Sequence, residues 1–281
     1  MIKDAYGQTI STFKVNVLRQ KSPDTAAYWE VFNVEYESDM NVISVLQKIA
    51  AMAKTSSGMA TTPVAWDCGC LEEVCGSCTM VINGRVRQSC SALVDRLLEE
   101  QKEITLEPMS KFPVMRDLVV DRSRLFHNLT RVKAWVPVDT YSAMGPGPKQ
   151  PREQQEENYP LSECMSCGCC LEACPQFTKV DVVRQPNESD EQFEARKKQA
   201  YDKAFIGPHA ISQAMLFNNH PTGKNMASER LDALTGPGGI QVCGNAQNCV
   251  SVCPKHIPLT TSIARAGRAV TLHKLKKWFG R

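Results

Sequence analysis

Eleven cysteines fall into three groups with short, ordered spacings: Cys70-x4-Cys75-x2-Cys78-x11-Cys90, Cys164-x2-Cys167-x2-Cys170-x3-Cys174, and Cys243-x5-Cys249-x3-Cys253. Two more, Cys68 and Cys169, stand within the groups but out of register, making 13 in 281 residues. Thiols this dense form disulfides, bind metal, or pack as small apolar side chains. An odd number leaves one over from any complete disulfide framework. No run approaches the ~18 to 20 apolar residues of a membrane span. The opening "MIKDAYGQTISTFKV" lacks the apolar core of a secretory signal and the Arg- and Ser-rich, acid-poor look of a transit peptide. The expectation is a soluble bacterial cytoplasmic protein, and in that compartment clustered cysteines point to metal or redox chemistry rather than to staples. With 33 Lys and Arg against 30 Asp and Glu, the net charge is only +3 and gives no reason to expect a nucleic-acid partner.

The first group has the spacing of plant-type ferredoxins, in which four thiolates hold a [2Fe–2S] cluster. Soft thiolates suit iron–sulfur chemistry, and the small Gly76 and Ser77 let backbone N–H groups point at sulfur. Asn83-Gly84 suits a type I′ hairpin turn, which returns Cys90 to the loop. Cys68 reads as a nonligand, with substitution for Cys70 as the alternative. Zinc is the competing metal, but zinc sites favour paired C-x2-C knuckles and this group has one. The second group, ending in Cys174-Pro175, is the bacterial ferredoxin run, whose fourth cysteine ligates the other of two clusters. Cys169 lies outside its register and reads as a buried thiol. The third group matches the second except that Ala246 stands where a middle cysteine is expected. Exchanging the fourth cysteines gives one site with Cys164, Cys167, Cys170 and Cys253, suited to a [4Fe–4S] cube. The other has Cys174, Cys243 and Cys249, suited to a [3Fe–4S] cluster lacking one corner iron. The five histidines have no cysteine-like register and need no special role.

Around these groups the chain changes character near residue 110. "STFKVNVLRQ" and "YWEVFNVEYE" alternate as strands. "NVISVLQKIAAMAKT" places Val42, Val45, Leu46, Ile49 and Met52 on one helical face. "TMVINGRVRQ" reads as a hairpin and "EITLEPM" as a final strand. Beyond residue 111, "RDLVVDRSRLFHNLTRVKAW" looks helical, "MGPGPKQPREQQEENYP" reads as a loop, and "HAISQAMLFNNH" as a helix. Residues 180 to 204 read as an exposed loop plus a surface helix. "IARAGRAVTLHKLKKWFGR" reads as a basic amphipathic helix, packed on the domain or a partner rather than lying on a membrane. An α+β chain results, with domains 1–110 and 111–281.

With these motifs in place, "CLEEVCGSCTMVING", "CMSCGCCLEACP" and "CGNAQNCVSVCPKHIPLTTSI" resemble the iron–sulfur subunit of succinate dehydrogenase and fumarate reductase, as do "FPVMRDLVVDRSRLF" and "HPTGKNMASERLDAL". The resemblance covers nearly the whole chain. It implies a plant-type ferredoxin (β-grasp) domain followed by a mainly α-helical bacterial-ferredoxin-like domain. It also implies a relay with no catalytic residue of its own. A flavoprotein subunit with covalent FAD oxidises succinate, and electrons pass through three clusters to a membrane anchor and quinone. The N-terminal domain is expected to face the flavoprotein, and the C-terminal domain the anchor. "CLEEVCG" and "HPTG" look most like the bacterial type with a dihaem cytochrome b anchor, carrying haem b and using menaquinone, at the cytoplasmic face of the inner membrane. Many ubiquinone-linked relatives have a Trp and a His near the last cluster, where this chain has Lys179 and Gly244. Fumarate reductase, running in reverse, is the nearest alternative. A zinc-stabilised interaction module without redox chemistry is the alternative of another class.

Overall fold

The computed structural model describes residues 11–137 and 148–280. They form two compact units, Met1–Asp121 and Arg122–Arg281.

In the first unit the alternating pattern of β1 (Thr12–Arg19) turns Phe13, Val15, Val17 and Arg19 inward. It pairs antiparallel with β2 (Tyr28–Glu35), setting Val15 opposite Phe32. Helix α1 (Val42–Met52) starts where the Asn41 side chain accepts the Ser44 N–H at 3.0 Å. It buries Val42, Ile43, Val45, Leu46 and Ile49. Met52, expected on the same face, is exposed, because the helix ends there at a left-handed Ala53. Strands β3 (Thr79–Ile82) and β4 (Arg85–Gln88) form the expected hairpin, with φ of 49° at Asn83 and 72° at Gly84. Helix α2 (Val94–Glu100) leads to β5 (Glu103–Glu107), parallel to β1 and antiparallel to β3. The sheet order is β2-β1-β5-β3-β4, and one core of Val15, Phe32, Leu46, Ile82 and Ile104 joins sheet and helices.

Residues 111–121, grouped with the second domain by sequence, pack on the first unit. The helix expected from residue 116 does not begin there; β6 (Val114–Arg116) and β7 (Val119–Val120) make a small antiparallel pair instead. The cause is Asp117, left-handed at φ 47° and buried between them. Its Oδ1 accepts from Arg19 Nε at 2.9 Å and the Gln20 N–H at 3.1 Å, and its Oδ2 accepts the Ala65 N–H at 2.9 Å. Burial lowers the pKa of Arg19, but the hydrogen bond and charge of Asp117, with the charge of Glu30, outweigh it and hold the guanidinium above its ordinary value.

The regular elements among the described residues of the second unit are all helices, joined by loops. Helix α3 (Ser123–Arg131) buries Arg124 and Asn128. The Arg124 guanidinium donates to the Phe205 carbonyl at 3.0 Å and to the Thr178 carbonyl, and lies 3.8 Å from the centre of the Phe177 ring. Residues 144–147 of the expected Gly- and Pro-rich loop lie outside the described residues. Its remainder is a loop only to Pro151, since α4 (Arg152–Ser162) is a helix containing Pro160. Helix α5 (Cys169–Glu172) is short. Helix α6 (Asp190–Lys203) is the expected surface helix, started by a Ser189–Gln192 capping box. Helix α7 (Gly207–Asn219) is buried along most of its length, against α4, α5, α8 (Ala227–Thr235) and α10 (Leu259–Trp278). Its first residue, Gly207, has φ +85°, and a Cβ there would stand 2.2 Å from Leu171 Cδ2, so only glycine lets α7 meet α5 this closely. Helix α9 (Asn248–Ser251) lies in the third cysteine group. Helix α10 begins before the expected segment and buries Leu259, Ser262, Ala266 and Val270. No helix among the described residues is long and apolar enough to cross a membrane.

Candidate metal centres

The first centre is a loop between α1 and β3. Leu71, Glu73 and Gly76 take φ of 62°, 55° and 70°, turning successive N–H groups to one side. Cys70 Sγ accepts the N–H of Glu72 at 3.4 Å and those of Val74 and Cys75 at 3.3 Å, while Cys75 Sγ accepts the Cys70 N–H at 3.3 Å. That last bond, with the Ser77 side chain and N–H, brings the Cys75 thiol down to about 6. Cys78 and Cys90 flank the β3–β4 hairpin, buried, with their sulfurs 3.4 Å apart. Ser89 keeps them in register, its N–H and Oγ donating to the Cys78 carbonyl at 3.2 and 2.9 Å. Two thiolates sharing one tetrahedral metal at ~2.3 Å lie about 3.8 Å apart, so this pair is close to bridging geometry. Burial, then the neighbouring Cys78, raises Cys90 to about 11. Such a thiol ionises only beside a cation. Cys68 is exposed.

Two cavities of the second unit are lined by cysteines. One is lined by Cys164, Cys167, Cys170 and Cys253 together with Cys169, His209 and Ser212. The other is lined by Cys174, Cys243 and Cys249 with Ala246. Each cavity thus draws thiols from both chain segments: Cys253 joins the second group, and Cys174 the third. Cys169 is fully buried. Hydrogen bonds from its side chain and N–H bring Cys167 down to about 7 against burial. Burial raises Cys164 to about 11, and raises Cys170 and Cys249 as well.

His209 and Ser212 were not singled out by the sequence. They sit three residues apart on α7, and both ring nitrogens of His209 and the Ser212 hydroxyl are buried without a hydrogen-bond partner. Burial pushes His209 down to about 4, leaving the imidazole neutral. A polar residue within an apolar helix is the signal in the sequence, but only the fold brings it to a cavity lined by thiols.

These cavities fit a polynuclear group better than a single ion. No three His, Cys, Asp or Glu side chains among the described residues are placed to hold one metal ion. The donors are soft thiolates around a volume, as iron–sulfur clusters require.

Residues 14–127 match the model for the 2Fe-2S iron-sulfur cluster binding domain, and residues 160–257 that for the 4Fe-4S dicluster domain. The chain is 46% identical over 269 residues to the succinate dehydrogenase iron-sulfur subunit of Bacillus subtilis, covering 96% of each. The chain belongs to the family of succinate dehydrogenase iron–sulfur subunits. Its likeness to the fumarate reductase iron-sulfur subunit of Haemophilus influenzae is more distant, at 27% identity over 89% of each chain. In fold it resembles a chain of the Mycobacterium smegmatis Sdh1 complex in the apo form, with TM-score 0.69, 22% identity, and coverage of 95% of this chain and 98% of that one. The α+β architecture expected from sequence is therefore the family fold, and this iron–sulfur subunit is an electron-transfer component of an oxidoreductase, as its motifs implied.

Of the two departures noted in the sequence, neither lines the cavity of Cys174, Cys243 and Cys249, although Gly244 stands between Cys243 and Asn245, which do. Lys179 is partly exposed and pairs with Asp181 at 3.1 Å. At Gly244 a Cβ would come within 2.6 Å of Gln176 Nε2, so glycine leaves room for the Gln176 side chain, whose Oε1 lies 3.7 Å from Cys174 Sγ.

Proposed function

We propose that Cys70, Cys75, Cys78 and Cys90 hold a [2Fe–2S] cluster, Cys164, Cys167, Cys170 and Cys253 a [4Fe–4S] cluster, and Cys174, Cys243 and Cys249 a [3Fe–4S] cluster. The observation that carries this is the exchange of fourth thiols between two cavities, each lined by one complete set. When bound, the clusters supply one-electron carriers whose potentials depend on burial and hydrogen bonds to sulfur. The chain's own part is to present thiolates and exclude water. N–H groups around Cys70 and Cys75 stabilise thiolate charge, and the methyl of Ala246 offers no ligand at the third site. The partners are a flavoprotein subunit carrying FAD and a membrane anchor, with this chain peripheral on the cytoplasmic face of the bacterial inner membrane. We assign the anchor to the dihaem cytochrome b type, reducing menaquinone. Purification of the complex from membranes tests the reading. The three cluster types should appear in equal amounts with a paramagnetic [3Fe–4S] signal in the oxidised state, and this chain alone should not oxidise succinate. Zinc in place of iron, or no such signal, overturns it.

The haem route makes a second prediction. Lys179 is tied to Asp181 rather than built into a pocket, and a neutral hydrogen bond to a quinone carbonyl would contribute only roughly 0.5 to 1.5 kcal/mol. Lys179→Ala should leave the quinone KM of the complex unchanged, and the complex should contain haem. A several-fold rise in KM, or a haem-free complex, means that quinone binds beside the third cluster.

A further inference from the structure

His209 and Ser212 stand on one face of α7, 2% exposed each, and both line the cavity shared by Cys164, Cys167, Cys170 and Cys253. Their polar atoms have no partner in the protein. Native interiors rarely leave buried donors unpaired unless a missing group satisfies them. The cavity they line carries five cysteine sulfurs, so a sulfur-rich group bound there would bring acceptors to both side chains. We propose that His209 and Ser212 donate N–H and O–H hydrogen bonds to the sulfur atoms of the group in this cavity and raise its reduction potential. This rests on the assignment of a [4Fe–4S] cluster to those four cysteines.

The physical reason is differential stabilisation. An added electron increases the negative charge on the sulfurs, and a fixed donor in a buried site stabilises the reduced form more than the oxidised form. A donor that remains neutral does this without placing a second charge in the interior. Neither His209 nor Ser212 lines the cavity of Cys174, Cys243 and Cys249, so the effect should be confined to one centre.

The test uses the assembled complex carrying His209→Leu, His209→Gln or Ser212→Ala, with redox titration of all three clusters followed by paramagnetic resonance. His209→Leu should lower the equilibrium constant for reducing the [4Fe–4S] centre about tenfold, equivalent to ~59 mV for one electron. Ser212→Ala should lower it by less, and His209→Gln, which keeps a donor, should retain most of the wild-type value. The other two midpoints should not move. An unchanged [4Fe–4S] midpoint in both His209→Leu and Ser212→Ala overturns the proposal while leaving the cluster assignment intact, and so does an equal shift of all three centres. A wild-type complex with no [4Fe–4S] signal overturns the assignment itself, and the proposal with it. If His209→Leu fails to assemble, the midpoint of Ser212→Ala decides alone.

Discussion

Replacing Cys253 with alanine should abolish the same centre as replacing Cys167, although 86 residues separate them in sequence. Cys253 lines the cavity of the second cysteine group, whereas its sequence neighbours Cys243 and Cys249 line the other. Under the proposed ligation, Cys253→Ala removes the [4Fe–4S] signal and leaves the oxidised [3Fe–4S] signal, while Cys174→Ala does the reverse. Either loss breaks the relay and should take succinate–quinone turnover to background. Ala246→Cys supplies a thiolate at the third site and should convert the [3Fe–4S] centre towards a [4Fe–4S] one, abolishing the oxidised paramagnetic signal. If Cys253→Ala instead removes the [3Fe–4S] signal, each group binds its own cluster and the exchanged assignment is wrong.

Asp117→Ala should destabilise the first unit by about 3 to 5 kcal/mol. Arg19 and Asp117 are 2% and 1% exposed, so neither has water to replace the other. The substitution orphans Arg19 Nε and leaves the N–H groups of Gln20 and Ala65 without their acceptor. Glu30 and the carbonyls of Thr62 and Pro63 still reach the guanidinium, which places the cost towards the lower end. Set against a typical domain stability of ~5–15 kcal/mol, such a loss should lower the melting midpoint by more than about 10 °C. Thermal bleaching of the [2Fe–2S] absorbance in the purified complex measures it. A midpoint within a few degrees of wild type would show that Asp117 is not a structural anchor.

Much of the molecule was legible from local pattern. The alternation of Phe13, Val15 and Val17 is a one-face-buried strand wherever it occurs, and Asn83-Gly84 adopts positive φ because little else can. The cysteine spacings carry their chemistry directly, since ligand geometry constrains how many residues may separate two thiols on one cluster. The misreadings share a cause. Residues 116–120 have a helical look, but Asp117 makes three tertiary hydrogen bonds that no helix could offer it. Met52 fits the apolar period of α1, yet the helix ends before its turn can be covered. The segment after Pro151 reads as a loop because it continues a stretch rich in Gly and Pro and contains Pro160, yet α4 forms where Asn158 and Leu161 are buried.

By itself, the sequence determined the number of thiol groups, the register within each and the architecture that carries them, because those depend on spacing along one chain and on periodicity within one element. The spacing of the second and third groups already paired Cys253 with Cys164, Cys167 and Cys170, whereas the approach of His209 and that of Ser212 to the same cavity were decided only by tertiary structure. Both depend on where α7 packs against α5 and α10, and that packing is set by contacts between residues far apart in the chain, such as the close approach of Gly207 to Leu171.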